Sequence, residues 1–358
     1  MRVVMVIAQY PPVLGGTERA CQRLSQALVR LGHRVTVVTR RPPGTPAHEE
    51  QEGVEVRRVA APGGRALAGA AFIAGALAQL VEIPHDVVHC HQALSPATVG
   101  ALARWLGGKP VVVKLAGPGA IGDLGTIRRG LLAPMRRRLL AAVDGWICPS
   151  QELVGEIGAY LPGARAWRVP NGVDLAPLDI KRREGGFQVL FTGALRPEKN
   201  LPVLIAAMRE LPAEVRLTVV GEGAQRSAVE AAIREHGVGE RVRLVGAVQD
   251  VRPWLAEADA FVLPSASEGM SNSLLEAMAA QLPIVASDVP GNRGLVEHER
   301  HALLVPAGDA VALAAAIRRL FEDQRLAERL GESARKRVEA DYALDSVARR
   351  VAQIYAQL

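Results

Sequence analysis

A chain of 358 residues can bury two hydrophobic cores, so its length favours two domains over one. A hydrophobic content of 49% with 22% charged residues is typical of soluble globular proteins and excludes a disordered or fibrous chain. Aromatic residues make up only 4% and no nucleic-acid-binding motif is present, so we expect no nucleic-acid partner despite the net charge of +6.

The cysteines and the apolar runs predict a cytoplasmic protein. Cys21, Cys90 and Cys148 are scattered without metal-ligand spacing, which predicts reduced thiols and no disulfide framework. The first residues, MRVVMVIAQYPP, indicate an initial strand and not a signal peptide. No uninterrupted apolar run reaches the roughly 18 residues of a membrane span. The closest, residues 66–81, contains glycines and Gln79 and predicts a soluble helix.

Apolar runs of strand length alternate with helical patterns along the chain, which is typical of parallel α/β sheets. In the first half the predicted strands are residues 3–8, 35–39, 54–59, 87–90, 111–115 and 146–148. In the second half they are residues 189–191, 217–220, 242–245, 260–263 and 284–286. The first helix is predicted over residues 17–31, because Gly32 is a residue type common directly after a helix.

A turn and a charged linker separate the two halves at VPNGVDLAPLDIKRREGG, residues 169–186. We therefore predict an N-terminal domain of residues 1–171, a linker of 172–186 and a C-terminal domain of 187–339. A last helix, about residues 340–358, is expected to pack back on the first domain. Each domain should be a doubly wound sheet that binds ligands beyond the carboxyl ends of its strands.

The most informative stretch is EGMSNSLLEAMA, which begins at Glu268 and contains Glu276. Ser271 is predicted to cap a helix that is apolar on nearly all sides, so Glu276 would be a buried carboxylate in need of a partner. Glu268 would lie on the loop before that helix. Two carboxylates that flank the N–H groups of a first helical turn suit the hydroxyls and phosphates of a nucleotide sugar.

A glycine pair follows the first predicted strand. Gly15 and Gly16 allow close approach of backbone to a ligand, and Thr17 is placed to cap the next helix, whose N-terminus favours an anion. Glu18 would compete with a phosphate for that position. A simple tight turn with no ligand explains the same residues.

Two loops of the second half carry further candidates. TGALRPEKN places Arg196 and Lys199 after a strand, where they can neutralise a diphosphate. GEGAQR supplies Gly221 and Gly223 but lacks the third glycine and the distant acidic residue of a dinucleotide site, so NAD is not expected. Arg252, together with Trp254 in the next connection, is a candidate for a base pocket.

Together these motifs resemble the family 4 retaining glycosyltransferases. The glycine pair, VHCH, VPNGVD, TGALRPEKN, GEGAQR and EGMSNSLLEAMA occur in the family's order, and the resemblance runs from Met1 to Leu358. It implies the GT-B fold, with two Rossmann-like doubly wound domains that face each other across a cleft. It also implies transfer from a nucleotide sugar with retention of anomeric configuration, with no cofactor and no metal ion.

The resemblance implies roles for individual residues. His91, after the strand at 87–90, would donate a hydrogen bond beside the reacting sugar, Glu268 would orient the sugar hydroxyls or act as a nucleophile, and Glu276 would hold the ribose. The predicted catalytic residues are His91, Glu268, Arg196 and Lys199. The predicted donor-binding residues are Gly15, Gly16, Arg196, Lys199, Gly221, Gly223, Arg252, Gly269, Met270, Ser271, Asn272, Ser273 and Glu276.

Three positions depart from the family's pattern. Ala194 stands where an arginine is frequent, and Arg196 is the expected substitute. Ala116 stands where many members have a histidine, which leaves His91 as the only histidine expected in the N-terminal site. Gly294 stands where an acidic residue is usual.

The donor and the acceptor stay open at this point. UDP is the first expectation for the nucleotide and GDP the second, while a glycan or a lipid-linked glycan in cell-surface assembly is the expected acceptor. Arginines alternate with leucines over residues 127–140, a pattern that suits either peripheral contact with the inner face of the cytoplasmic membrane or a solvated helix. A sugar-nucleotide epimerase and a non-catalytic sugar-nucleotide binder are the alternatives.

Overall fold

A computed structural model describes residues 1–13, 15–117, 122–129, 132–179 and 186–358. The chain forms two compact units, Met1–Gly172 with Leu344–Leu358, and Val173–Ala343. Each unit is built around its own doubly wound sheet, so the predicted architecture of two α/β domains is confirmed. The division follows Gly172 at the predicted turn, and residues 180–185 of the predicted linker lie outside the described residues.

Among the described residues, the sheet of the first unit has eight strands in the order β3-β4-β2-β1-β5-β6-β7-β8, and β3 alone is antiparallel to its neighbour. The strands are β1 Arg2–Val6, β2 Arg34–Arg40, β3 His48–Gln51, β4 Val54–Val59, β5 Val87–His91, β6 Val111–Lys114, β7 Gly145–Cys148 and β8 Ala166–Arg168. The helices are α1 Gly16–Arg30, α2 Arg65–Glu82, α3 Ser95–Trp105, α4 Asp123–Ile127, α5 Ala133–Leu140 and α6 Gln151–Tyr160.

Both faces of this sheet are buried. Successive residues of a strand point to opposite sides, so each strand contributes side chains to two cores. Val3 and Met5 of β1 pack in one core cluster with α1, whereas Val4 and Val6 pack in another with α2. Full burial of such a side chain contributes about 1.5–3 kcal/mol. The near-continuous apolar strands predicted from the sequence are therefore the expected pattern for a sheet covered on both faces.

The second unit has a parallel sheet in the order β11-β10-β9-β12-β13-β14. Its described strands are β9 Phe187–Thr192, β10 Val215–Val220, β11 Val242–Gly246, β12 Ala260–Leu263, β13 Ile284–Ser287 and β14 Leu303–Val305. Its helices are α7 Leu201–Arg209, α8 Arg226–His236, α9 Arg252–Glu257, α10 Asn272–Ala279, α11 Pro290–Arg293, α12 Ala310–Glu322 and α13 Gln324–Asp341. One continuous core cluster lies in this unit.

The last helix, α14 Leu344–Tyr355, returns to the first unit. Its residues Val347, Val351 and Ile354 are buried in the same cluster as α1. The hydroxyl of Tyr355 lies 2.6 Å from Nδ1 of His89 on β5, which links the end of the chain to the centre of the first sheet.

Three strands were not predicted from the sequence. The edge strand β3 has the sequence HEEQ, and its side chains are half-buried or exposed, so no apolar pattern marks it. The strands β8 and β14 have three residues each, too few to show a period. These short strands form because they pair with longer neighbouring strands, and that pairing is a property of the tertiary structure.

Two helical predictions are corrected by the structure. Helix α1 begins at Gly16 with Gly15 as its N-cap, so the cap predicted at Thr17 is wrong. Gly15 has extended backbone and is therefore the last residue before the helix. Residues 127–140 do not form one helix, because α4 ends at Ile127 and α5 begins at Ala133. No helix in the described part of the chain is long and apolar enough to cross a membrane.

Close packing of α13 gives a first prediction. A Cβ on Gly331 of α13 would lie 2.3 Å from the carbonyl oxygen of Gln281, just after α10. We expect Gly331→Ala to lower the free energy of unfolding by about 1–3 kcal/mol, because the backbone must move to admit the methyl group. Urea denaturation followed by circular dichroism measures this change.

The matched control is Gly155→Ala in α6, where an added Cβ meets no atom within 4 Å. This change should leave stability unchanged or raise it by up to about 1 kcal/mol, since alanine favours a helix. Equal effects of the two substitutions would contradict the packing argument.

Candidate active site

A half-buried lysine and glutamate form the core of the candidate site in the second unit. Nζ of Lys199 lies 2.5 Å from Oε1 of Glu268, and the hydroxyl of Ser265 donates to the same oxygen at 2.6 Å. Only 17% of the Lys199 side chain and 8% of the Glu268 side chain are exposed. We call these two residues the Lys199–Glu268 pair. Loss of either partner would leave the other as a desolvated, uncompensated charge.

The two loops that carry this pair follow neighbouring strands. Because β9 and β12 are adjacent and parallel, their carboxyl ends lie at the same edge of the sheet. Lys199 ends a single 3-10 turn after β9, and Glu268 lies in the loop after β12. The backbone N–H of Ala266 donates to the carbonyl oxygen of Glu198 at 2.8 Å, which joins the loops directly.

Gly291, at the start of α11, packs against the backbone of the Glu268 loop. A Cβ at this position would lie 2.3 Å from the carbonyl oxygen of Glu268 and 2.6 Å from that of Gly269. No side chain fits there without moving that loop. Since α11 follows β13, the strand beside β12, the loops after β9, β12 and β13 hold one another in place.

Helix α10 begins directly after the Glu268 loop. Ser271 is its N-cap, and the hydroxyl of Ser271 accepts a hydrogen bond from the backbone N–H of Leu274 at 3.3 Å. Glu276 is 7% exposed, so the predicted cap and the predicted buried carboxylate are both confirmed. The cap satisfies one of the first-turn amides, and the anion site expected at this helix end is correspondingly smaller.

Gly221 and Gly223 allow two loops of the second unit to pack closely. A Cβ on Gly221 would lie 1.8 Å from the carbonyl oxygen of Gly193, and one on Gly223 would lie 2.4 Å from that of Leu195. The N–H of Leu195 also donates to the carbonyl oxygen of Glu222 at 3.0 Å. These glycines thus fix the loop after β9, and their direct contact with a donor stays a prediction.

The other charged candidates of the second unit lie on its surface. The Arg196 side chain is 67% exposed, and its nearest carboxylate, Glu198, is 3.9 Å away. Arg252 is the exposed first residue of α9. The ring of Trp254 lies under the guanidinium of Arg243 at 5.1 Å. Among the described residues, none of these side chains hydrogen-bonds to the Lys199–Glu268 pair.

In the first unit, His91 is the last residue of β5 and is only 2% exposed. Its ring stacks on that of His89 with centroids 4.5 Å apart. Burial and the nearby charge of Lys114 lower the pKa of His91 to about 3, so the imidazole is neutral at physiological pH. Nε2 of His91 has no hydrogen-bond partner within the described residues. His89, by contrast, has a hydrogen-bond partner in Tyr355.

Lys114 is a candidate that the sequence analysis missed. It is the last residue of β6 and lies directly beside His91 in the sheet register. It is 6% exposed, and its ammonium group forms no hydrogen bond or ion pair with any residue that the structure describes. Burial lowers the pKa of Lys114 to about 8, so it stays charged at neutral pH. A lysine that ends an otherwise apolar strand, VVVK, was the available signal.

Asp123, at the start of α4, holds the loops that follow these two strands. One carboxylate oxygen accepts from the backbone N–H of Ala93 at 3.4 Å, and the other accepts from the N–H of Ala116. The side chain is buried, and burial raises the pKa of this carboxyl group. Asp123 therefore positions the backbone directly after His91 and Lys114.

The glycine pair after β1 lies at the N-terminus of α1 with Gly15 as the N-cap. A Cβ on Gly15 would lie 2.1 Å from a carboxylate oxygen of Glu18, so that carboxylate covers the helix end. Glu18 is the third residue of the helix, where a carboxylate satisfies backbone N–H groups and favours the helix dipole. The competition predicted between Glu18 and a phosphate thus has a structural basis.

Comparison with known proteins identifies the family. The Glycosyltransferase Family 4 domain matches residues 14–177, and the Glycosyl transferases group 1 domain matches residues 186–323. The chain belongs to the family 4 glycosyltransferases. Glycogen synthase from Mycobacterium tuberculosis is 31% identical to it over 99% of this chain and 94% of that protein.

Solved structures of similar fold extend over the whole chain. Sucrose-phosphate synthase from Thermosynechococcus elongatus has a TM-score of 0.85 at 24% identity and covers 99% of this chain and 98% of its own. HepE from Anabaena, solved in complex with UDP, has a TM-score of 0.82 at 21% identity over 100% of both chains. The GT-B class of fold implied by the sequence motifs is confirmed by these likenesses.

The close approach of Gly291 to the Glu268 loop gives a second prediction. We expect Gly291→Ala to reduce glycosyl transfer by roughly 10- to 100-fold, because displacement of a site group by about 1 Å has effects of that size. Initial rates with the donor that the enzyme uses measure this loss.

The matched control is Gly294→Ala, only three residues away, where an added Cβ would be 3.4 Å from its nearest atom. This variant should keep its rate within about twofold. Equal losses in both variants would contradict the proposed role of Gly291, and so would full activity of Gly291→Ala.

Proposed function

We propose that this glycosyltransferase is a retaining enzyme that moves a sugar from a nucleotide-diphosphate sugar to an acceptor hydroxyl. The observation that carries the proposal is the half-buried Lys199–Glu268 pair, which places a cation and a carboxylate together at the N-terminal end of α10. UDP is the first choice of nucleotide, because HepE has been solved with UDP and with UDP-glucose. GDP is the second choice.

The donor would bind by its charge and its hydroxyls. The ammonium of Lys199 has three N–H donors, and one is directed at Glu268, so it can also donate to a phosphate oxygen. Arg196 and the backbone of residues 269–273 would hold the rest of the diphosphate. Glu276 would accept hydrogen bonds from the ribose, and Glu268 would accept them from the sugar. No cofactor or metal ion enters the proposal.

The reaction itself needs stabilisation of the leaving phosphate. As the bond between the anomeric carbon and the phosphate oxygen breaks, negative charge grows on the nucleotide and positive charge grows on the sugar ring. A cation fixed in advance beside the phosphate lowers this barrier, because it binds the transition state more strongly than the ground state. The acceptor hydroxyl then bonds to the anomeric carbon on the same face, and its proton passes to the leaving phosphate.

The first unit would supply the acceptor side. Neutral His91 would form a hydrogen bond beside the reacting sugar, and Lys114 would attract an anionic group of the acceptor. A buried ammonium group without a protein partner is costly unless a ligand pairs with it. Asp123 would keep both residues in position through the backbone that follows them.

The acceptor class is proposed from relatives and from charge. A lipopolysaccharide core glycosyltransferase from Rhizobium meliloti is 36% identical over 44% of the chain. A glycan or lipid-linked glycan of the cell surface is therefore the acceptor that we propose. Such an enzyme would work in the cytoplasm, at the inner face of the membrane if the arginines of α5 contact lipid.

Thermal stabilisation by nucleotides tests the donor assignment. We expect UDP, compared with GDP, ADP, CDP and dTDP, to give the largest increase in melting temperature. A ligand at about 100 times its dissociation constant adds roughly 2.7 kcal/mol to the folded state, which is easily measured. A shift with GDP alone would change the donor class, and no shift with any nucleotide would contradict the site. Donor turnover without an acceptor would indicate an epimerase.

Substitutions in the second unit separate binding from chemistry. Lys199→Ala and Glu276→Ala should each weaken UDP binding tenfold or more, whereas Glu268→Gln should retain UDP and slow transfer at least 100-fold. The control for lost positive charge is Lys336→Ala on the exposed face of α13, which should change neither quantity. Isothermal titration and initial rates measure the two effects. Full activity in all three site variants would contradict the assignment.

The lowered pKa of Lys114 gives a pH-dependent prediction. Its charge is present below pH 8 and is lost above it, so the KM of an anionic substrate should rise between about pH 7 and pH 9. Lys114→Arg should remove this rise because arginine stays charged, and Lys114→Met should show a high KM at every pH. The neighbouring groups Cys21 and His91 do not titrate between pH 7 and 9, because burial moves their pKa values to about 12 and 3. A pH profile identical in all three proteins would contradict this role.

A further inference from the structure

The first unit contains a cavity that the proposed reaction does not use. Its volume is about 780 Å³, and it lies between α5, the end of α6 and the segment before β8. Its lining includes the side chains Arg128, Arg137, Arg138, Arg165, Trp146 and Tyr160. We call this cavity the arginine pocket.

The arginine pocket lies at the opposite edge of the sheet from His91 and Lys114. Those two residues are at the carboxyl ends of β5 and β6. Two lining residues, Asp144 and Arg165, instead directly precede β7 and β8, at the amino ends of the strands. The pocket is therefore separate from the site that the family motifs form.

The charge of the pocket is strongly positive. Asp144 is the one carboxylate in the described lining, and both of its oxygens already accept from the guanidinium of Arg104, at 2.8 to 3.1 Å. Arg137 and Arg138 form no ion pair with any described residue. Four guanidinium groups thus line a cavity in which the only opposing charge is already neutralised.

Two of these arginines are held in place by the protein. Arg128 donates to the carbonyl oxygen of Glu156 at 2.8 Å, and its guanidinium lies 5.3 Å from the centre of the Tyr160 ring. Arg165 lies over the ring of Trp167 at 5.2 Å. Because these contacts leave most N–H donors of each guanidinium unused, the groups are oriented in advance for an anion.

Two aromatic residues of the wall carry polar groups that are unpaired within the described residues. Trp146 is fully buried and Tyr160 is 8% exposed, and both line the pocket. The indole N–H and the tyrosine hydroxyl have no hydrogen-bond partner in the described part of the chain. Both donor atoms are shielded from solvent, so the arginines and not these two groups would contact an anion in the pocket.

We propose that the arginine pocket binds a phosphate ester. Oxygen atoms of a phosphate match the planar guanidinium donors, and the apolar part of the lining, which includes Leu140 and Val143, suits the carbon chain attached to the ester. The ester is the headgroup of an anionic lipid or a soluble phosphate ester. Leu132, the N-cap of α5, and Met135 within α5 are exposed apolar residues.

Helix stabilisation explains part of this arrangement but not all of it. Arg137 and Arg138 lie in the last turn of α5, where a cation stabilises the helix by about 0.3–1 kcal/mol. Arg128 and Arg165 lie outside α5, and the cavity does not follow from helix stabilisation. The proposal is independent of the transfer reaction, and its test requires no activity.

The test uses two double variants with equal loss of charge. Arg137→Gln with Arg138→Gln changes the lining, whereas Arg129→Gln with Arg136→Gln removes two charges from the same segment outside the lining. Both are made in the full chain carrying Lys199→Met, so that phosphate binding in the second unit does not contribute. Binding of glycerol phosphate is measured by titration calorimetry, and binding to vesicles of phosphatidylglycerol with phosphatidylcholine by sedimentation.

We expect the lining variant to lose at least tenfold in affinity for one or both probes, and the control variant to lose less than threefold. If glycerol phosphate binds, the ester alone is sufficient. If vesicles bind and glycerol phosphate does not, the ligand is a lipid headgroup. Equal losses in both double variants would contradict the proposal, because they would show that binding depends on surface charge in general. Failure of both probes to bind would contradict it as well.

Discussion

The Lys199–Glu268 pair is the interaction on which the second unit's site depends. It joins the turn after β9 to the loop after β12, and the hydrogen bond from Ser265 completes the coordination of the carboxylate. Because the pair joins two loops, both residues constrain the loops and not only the ligand. The close contact of Gly291 supports the same loop from β13. A donor bound here, as we propose, would meet charges whose positions were fixed during folding, which is the condition for electrostatic catalysis.

Parallel pairing explains why chemistry-bearing residues collect at one edge of each sheet. Successive strands of a doubly wound sheet end at the same edge, and the loops that follow them are the only segments free to vary without loss of the core. In the first unit this edge holds His91 and Lys114, and in the second it holds the Lys199–Glu268 pair. At Gly221 and Gly223, adjacent loops approach each other so closely that only glycine fits.

Much of this arrangement could be predicted from local patterns in the sequence. Long apolar runs identify strands that are buried on both faces, and Ser271 before an apolar helix identifies a cap. The strand β3 could not be predicted, since its sequence HEEQ carries no apolar signal and its pairing is set by β4. Lys114 was missed for a different reason. A single lysine at a strand end is normally solvated, and only the register beside His91 shows that it is buried. The role of the glycines in GEGAQR likewise depends on a neighbouring loop that is distant in sequence.

The first unit has cations at both ends of the strands of one sheet, and they differ in burial: Lys114 is buried, whereas the four arginines of the arginine pocket are exposed. Lys114 at the carboxyl edge and the arginine pocket at the amino edge both place positive charge in surroundings that offer it few protein partners. A desolvated charge is destabilising unless a ligand compensates it, so Lys114 points to an anion. The arginine pocket points to an anion for a different reason, which is the concentration of positive charge in its lining. The two sites do not have to bind the same molecule. An acceptor with a reactive sugar and a phosphate-linked lipid would therefore not have to span the sheet from one site to the other. The arginine pocket would instead hold the membrane or a soluble ester in place, while the opposite edge stays free for transfer. Substitutions in the pocket should then alter where the enzyme is bound without altering its catalytic step.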